Sequence, residues 1–329
     1  MKLLITGSTG FVGRNLLLQA LRDPTWSEII LPVRNKAKLL EQLKNEGIEL
    51  ERERLHLYSV ENNTWSLSTT SSPDVVIHCA GLTYSRERSH YFETHVQGTL
   101  NLLKNLPTTS RLLVLSSLSA AGPTPTQAQT RYRHHTDEPI SWYGESKLAM
   151  EKALEVFPRD RLLILRPPII LGPRDTATTP LFQMARGLIR MKPGLKPKEY
   201  SWIDVDDLCQ ALLIAAKSDW HMRSDHTYFL ASDQTIFDRE LLKTTAEVIN
   251  ARGITVPLPH LLIKMISALV EQIPSLHQPL QSLGRDRVKE ILPQRWVLDG
   301  SVFQHDFHWK PQTTLRESLE RTAKWLGFI

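Results

Sequence analysis

The feature that most narrows the folds open to this chain stands at its start. A short apolar run, Lys2-Leu3-Leu4-Ile5-Thr6, is followed at once by Gly7-Ser8-Thr9-Gly10-Phe11-Val12-Gly13 and then by a helical pattern over 12–22. A continuously apolar run of that length suits a strand buried on both faces, inside a parallel sheet covered by helices. Each glycine has a physical task. Gly7 allows the tight turn, Gly10 lets backbone approach a pyrophosphate, and Gly13 lets helix and strand pack closely. The helix N-terminus behind them offers free N–H groups and a partial positive charge to phosphate. Strand, glycine turn and helix in this order predict that residues Gly7, Ser8, Thr9, Gly10, Phe11, Val12 and Gly13 hold a dinucleotide.

The alternation continues. Apolar runs at 28–33, 55–60, 75–80, 112–117 and 162–168 are separated by helical patterns at 36–46, 91–106 and 141–157. This predicts an α/β fold with a doubly wound parallel sheet of the Rossmann type. Beyond residue 167 prolines and longer loops take over. The predicted division is a dinucleotide-binding domain over 1–167, with 203–231 returning to it, and a smaller C-terminal substrate domain over 168–329. Hydrophobic residues at 41% and charged residues at 23% exclude disorder and a disulfide scaffold. The net charge of +5 is spread along the chain and does not demand nucleic acid. Cys79 and Cys209 form no CxxC pair, so a reducing, cytoplasmic compartment is expected. The first ten residues lack a signal-peptide core. The apolar stretch 258–270 is broken by His260 and Lys264 and cannot span about 30 Å of hydrocarbon. It reads as a helix covering a pocket ahead of a helix lying on a membrane.

The second strand selects the dinucleotide. NAD-preferring sites place a carboxylate about 20 residues past the glycines, for the ribose 2′-hydroxyl. Arg34 stands there, with Lys36 and Lys38 close behind. A guanidinium binds a 2′-phosphate through two parallel hydrogen bonds and stacks on adenine. NADP(H) is therefore expected ahead of NAD(H).

Tyr143 and Lys147 share one face of a predicted helix at i, i+4 spacing. Proton transfer at neutral pH needs the phenol lowered by about three units, worth roughly 4 kcal/mol. An ammonium about 4 Å away at an effective dielectric near 20 supplies that much. Ser117, at the end of the fifth strand, is expected to hold the substrate oxygen while Tyr143 gives or takes the proton.

With these motifs the sequence resembles the extended short-chain dehydrogenases/reductases, the NAD-dependent epimerase/dehydratase superfamily. It is nearest by motif to the dihydroflavonol reductase and 3β-hydroxysteroid dehydrogenase branch. The likeness includes VVIHCAG (75–81), HVQGTLNLL (95–103), SSLSAAG (116–122), YGESK (143–147), RPPIILGPRD (166–175) and WIDVDDLCQA (202–211). It implies a Ser117, Tyr143 and Lys147 centre, with Lys147 also bonding the nicotinamide ribose. It implies further that Ser59 and Val60 touch adenine, that Cys79, Ala80, Gly81 and Ser116 line the cofactor, and that Pro167 abuts the nicotinamide. Thr83, Ser119 and Ile169 fall to the substrate. Dimers are common in the superfamily, which makes a homodimer one expected state.

The departures narrow the substrate. Nucleotide-sugar epimerases carry an asparagine where this chain has Ile169, followed by Ile170 and Leu171. Burying diphosphate oxygens against such residues leaves them unpaired at a cost of kcal/mol each. The dehydratases' Asp-Glu pair is replaced by Leu118-Ser119, and the usual asparagine before Val-x-Gly-Thr is His95. The reading is an oxidoreductase that moves hydride between NADP(H) and a carbonyl or secondary alcohol of a moderately apolar small molecule. Two others stay open: a nucleotide-sugar epimerase with tightly held NAD, and a non-catalytic NADPH-sensing protein. Arg86, Arg88, Arg131, Arg133, His134 and His135 are either an anion-recognising pair of loops or solvated basic loops. His134-His135 has no partner at metal-ligand spacing, so no metal is expected.

Overall fold

The computed structural model describes residues 1–48, 54–61, 64–65, 72–220, 226–273 and 284–329. The first half runs β1 Lys2–Thr6, α1 Phe11–Ala20, β2 Glu28–Val33, α2 Lys36–Asn45, β3 Leu55–Glu61, β4 Thr64–Trp65 and β5 Val75–His78. Then come α3 Arg88–Phe92, a π-helical turn Glu93–Gln97, α4 Gly98–Leu103, β6 Arg111–Leu115, α5 Leu118–Ala121, α6 Trp142–Ala153 and β7 Leu162–Arg166. The second half holds β8 Ile169–Leu171, α7 Thr179–Arg186, β9 Ile189–Pro193, β10 Glu199–Tyr200, β11 Trp202–Asp204, α8 Val205–Lys217 and β12 Thr227–Phe229. It closes with β13 Ile236–Phe237, α9 Asp238–Val248, β14 Ile254–Leu258, α10 His260–Gln272, α11 Arg285–Ile291, β15 Arg295–Trp296, α12 Ser301–Phe307 and α13 Leu315–Leu326.

The central sheet has the strand order β12-β7-β6-β5-β1-β2-β3, all parallel, with β4 added antiparallel on the β3 edge. The order reverses beside β1, where ligands of doubly wound sheets bind. Period-two alternation splits each apolar run between two cores. On β1, Leu3 and Ile5 face Leu16 and Leu17 of α1 and Ala211 and Leu212 of α8. Leu4 faces the other way, in the cluster that includes Leu102, Met150 and Leu154. Helix α8 packs on α1, where Gln19 donates to the Asp206 carbonyl at 3.1 Å, and β12 pairs with β7, Thr227 lying opposite Ile164.

Three predicted strands end sooner than their apolar runs, at His78, Leu115 and Arg166. The residues beyond, Cys79–Gly81, Ser116–Ser117 and Pro167, turn out of the sheet at its C-terminal edge. The predicted helix 91–106 is interrupted by the π turn around His95.

The later strands form small pairings: β8 with β11, β10 between β13 and β15, and β9 with β14. Trp202 is buried and Tyr200 packs in the same cluster, as core residues. Asp204 caps α8, accepting from Asp206 N–H at 2.8 Å, and Asp206 and Asp207 occupy the first turn, where the dipole favours negative charge.

Candidate active site

The glycine turn has the shape a pyrophosphate needs. Gly7 sits at φ +72°, and a Cβ there would come within 2.8 Å of Ala80 N. A Cβ on Gly13 would lie 2.2 Å from the Gly7 carbonyl oxygen. Gly10 is exposed, starts α1 and leaves its first turn without a side-chain cap. Helix N–H groups are thus open at the sheet edge, and the fully buried Ser8 hydroxyl has no hydrogen-bond partner among the described residues. Thr9 and Phe11 are half-buried along the turn, and the Thr9 carbonyl accepts from Gln42 Nε2 at 3.3 Å, tying the turn to α2. Arg34 and Lys38 are exposed past the end of β2, and Asn35 between them caps α2 by accepting from Lys38 N–H at 2.9 Å. At the end of β3, Ser59 is exposed and Val60 buried. These residues fit a dinucleotide laid over the β1–β2 edge.

Beside it, β5 ends in a polar relay. Thr6 Oγ1 accepts from Ala80 N–H at 3.0 Å and lies 2.7 Å from His78 Nδ1, whose Nε2 is 2.9 Å from Thr99 Oγ1. Burial, with help from the Lys147 charge, pushes His78 down to about 3, so it is a neutral, satisfied core histidine. Burial likewise pushes the Cys79 thiol up to about 12.

Ser117, Tyr143 and Lys147 come from two elements that meet at the end of β6. Ser117 caps α5, its hydroxyl accepting from Ser119 N–H at 3.1 Å, while the Pro167 carbonyl accepts from Leu118 N–H at 2.8 Å. Ser141 caps α6 by accepting from Gly144 N–H at 3.0 Å. That sets Tyr143 in the first turn and Lys147 one turn on, where its ammonium donates to the Leu115 carbonyl at 3.0 Å. Burial lowers Lys147 to about 8, against the opposing pull of Glu151 and Cys79. The bare Gly81 lets the chain pass close by: a Cβ there would lie 3.2 Å from His95 Nε2 and 3.4 Å from Lys147 Nζ.

The expected acidification of Tyr143 by Lys147 is not what this geometry gives. The ammonium is 6.0 Å from the phenol ring centroid. Burial, then the Glu290 carboxylate, push the phenol up to about 12, outweighing the Ser117 hydroxyl and the Arg287 guanidinium. The phenol is held protonated through the neutral range.

Three groups around the centre have no site role in the sequence reading, although His95 is noted there as a departure. His95 Nε2 accepts from Leu82 N–H at 3.0 Å, and its Nδ1 is 2.8 Å from Ser146 Oγ, which donates to the Tyr143 carbonyl at 2.7 Å. These roles leave the imidazole proton on Nδ1, and burial holds the ring neutral, near 2. Glu151, a turn beyond Lys147, accepts from the Ser116 hydroxyl and from Arg166 Nε at 3.0 Å; Arg166 also grips Asp137 at 2.8 and 2.7 Å. Burial works to discharge Arg166, but the two carboxylates outweigh it and raise its pKa. The 143/147/151 spacing could have flagged Glu151. Nothing local could have flagged α11, where Asp286 accepts from Trp142 N–H at 2.9 Å and Glu290 from the Ser141 hydroxyl at 2.6 Å.

Of the substrate candidates, Thr83 and Ile169 are exposed and Ser119 half-buried. The anion-recognition reading of the basic loops fails at Arg131. That residue is buried and donates to the carbonyls of Pro123 and Thr136 at 2.8 and 3.0 Å. Arg133 donates to the Thr227 carbonyl at 3.2 Å, and Arg88 pairs with Glu145 at 3.1 Å. Among the described residues no group of three or more His, Cys, Asp or Glu could hold a metal ion, and no helix is long and apolar enough to cross a membrane.

Residues 3–231 match the NAD dependent epimerase/dehydratase family. The chain belongs to that family. It is 27% identical to the GDP-6-deoxy-D-mannose reductase of Pseudomonas aeruginosa over 97% of this chain and 94% of that protein. It is 25% identical to the ceramide reductase of Caulobacter vibrioides, over 89% and 84%. A UDP-glucuronic acid 4-epimerase from Bacillus cereus shares the fold at a TM-score of 0.76 and 15% identity, over 99% of both chains. Membership in this family of nicotinamide-dependent reductases and epimerases makes the chain an enzyme of the extended short-chain dehydrogenase/reductase type.

Proposed function

We propose that the protein is an NADP(H)-dependent oxidoreductase that interconverts a carbonyl and a secondary alcohol on a moderately apolar small molecule. The convergence of Ser117, Tyr143 and Lys147 at the end of β6 carries this reading. The nicotinamide supplies or takes up the hydride when bound. The glycine turn would hold its pyrophosphate, Arg34 and Lys38 a 2′-phosphate, and Lys147 the ribose, with Pro167 and Cys79–Gly81 along the ring side. Ser117 orients the carbonyl, and Tyr143, protonated throughout the neutral range, delivers the proton to its oxygen.

Ile169, 40% exposed at the start of β8, supports an apolar substrate, because an isoleucine there offers no donor to a diphosphate. The name of the ceramide reductase relative leans the same way, whereas the GDP-6-deoxy-D-mannose reductase is named for a nucleotide sugar and leans toward the second reading. A nucleotide-sugar epimerase is the second reading, favoured by the epimerase neighbour. A panel of ketones, aldehydes and UDP-sugars, followed through oxidation of NADPH and NADH, separates them. Turnover of a ketone with NADPH supports the proposal. Thermal protection by UDP-sugars, or turnover of one with retained NAD, replaces it with the epimerase. Cofactor binding with no turnover of any kind points to a sensor. A cytoplasmic location, inferred from two free cysteines, belongs to the same proposal.

A further inference from the structure

The β9–β14 ribbon is inside out. On β9 the side chains of Ile189 and Met191 face solvent while Arg190 and Lys192 are buried. Ile254 and Val256 of β14 lie directly opposite Ile189 and Met191 and are also exposed. The inward cations are provided for: Arg190 donates to the Ala185 and Ala251 carbonyls at 3.0 Å, and Lys192 pairs with Asp238 at 2.7 Å. The chain runs from β14 through Pro259 into α10, whose Leu261, Met265 and Leu269 form an exposed stripe at i, i+4, i+8. The Gly194 turn joins ribbon and helix: its N–H bonds the Leu258 carbonyl at 2.8 Å, and a Cβ there would meet His260 Nε2 at 2.5 Å. Exposure across these residues and the flanking Leu188 and Leu195 runs from 40% at Val256 to 77% at Leu188. A patch of this kind on a soluble chain marks an interaction surface.

The charges around it name the partner. Residues 186–198 carry Arg186, Arg190, Lys192, Lys196 and Lys198 and no carboxylate; residues 251–270 carry Arg252 and Lys264 and none either. Of these, Arg186, Lys196, Arg252 and Lys264 are exposed beside the apolar face. A second copy of the chain docked through a two-fold axis would set this cationic rim against itself. An anionic bilayer would not, since it takes apolar side chains into its interface and cations at its headgroups.

We infer that the outer face of β9, β14 and α10 docks on an anionic phospholipid surface. This does not depend on the proposed reaction. The test is co-sedimentation of the full chain with phosphatidylcholine vesicles, with and without phosphatidylglycerol, at low and high salt. Sedimentation is expected with the phosphatidylglycerol vesicles, falling by about fivefold or more at high salt as surface charges are screened. Ile189→Glu combined with Met265→Glu is expected to abolish it while leaving melting temperature and cofactor binding unchanged, since both residues are exposed. Lys196→Ala with Lys264→Ala is expected to weaken it, since both cations are exposed beside the apolar face. No sedimentation, or equal sedimentation with both vesicles, overturns the inference. So does a dimer by light scattering that the two glutamate substitutions convert to monomer.

Discussion

The His95 imidazole donates from Nδ1 to the Ser146 hydroxyl at 2.8 Å, and Ser146 immediately precedes Lys147. The ring thereby ties the π turn after β5 to the helix that carries both Tyr143 and Lys147. His95→Leu would strand Leu82 N–H and loosen Ser146, which should cost about 2–4 kcal/mol in urea unfolding and lower kcat. His95→Asn keeps an amide donor and acceptor and should recover part of both losses. Equal stability of the leucine variant and the parent would remove this role.

Tyr143→Phe should keep cofactor affinity and lose about 10²–10⁴ in turnover, the size of general acid–base catalysis. Because burial holds the phenol near 12, carbonyl reduction should be less sensitive to pH between 6 and 8 than alcohol oxidation. Initial rates in both directions across that range decide the matter.

Lys147 bears on activity and stability with opposite signs. Its folded pKa, about 8, lies below the ordinary 10.5, so the folded chain binds fewer protons between these values. On this account stability rises with pH across that window, and the charged, buried form is a burden below pH 8. Lys147→Met should therefore gain up to about 3 kcal/mol at pH 7 and nothing at pH 11, while losing activity. In the parent, kcat/KM should fall as pH rises through 8, and Lys147→Arg should shift that fall to higher pH.

Glu151→Leu leaves the buried Arg166 with only one carboxylate and strips Ser116 of its acceptor. Breaking such a pair from one side costs about 3–5 kcal/mol. Melting curves should show it as one of the most damaging single changes in α6.

Arg34→Glu should erase a preference for NADPH over NADH on the order of tenfold, about 1.4 kcal/mol, by repelling a 2′-phosphate. Calorimetric titration of both cofactors into parent and variant tests it. Equal parent affinities would show that Arg34 reads no phosphate.

Much of this was legible before any coordinates. The continuous apolar runs and the glycine turn sufficed for the doubly wound sheet, and spacing sufficed to put Tyr143 and Lys147 on one helix face. The acidity of Tyr143 is not legible in the sequence because it depends first on burial and then on Glu290, which lies far along the chain on α11. The basic residues near 131 read as a solvated or ligand-binding loop, yet Arg131 spends its guanidinium on backbone carbonyls, a use that composition does not reveal. The β9 ribbon escaped for a different reason. Alternation gives the period of a strand but not which phase faces inward, and there the usual phase is reversed.

The clearance at Gly13 has a consequence for anyone who randomises this chain. With 2.2 Å between a notional methyl group and the Gly7 oxygen, even alanine would force the first helix away from the Gly7–Ser8 turn. In a saturation library selected for soluble, cofactor-competent protein, that codon should come back as glycine alone.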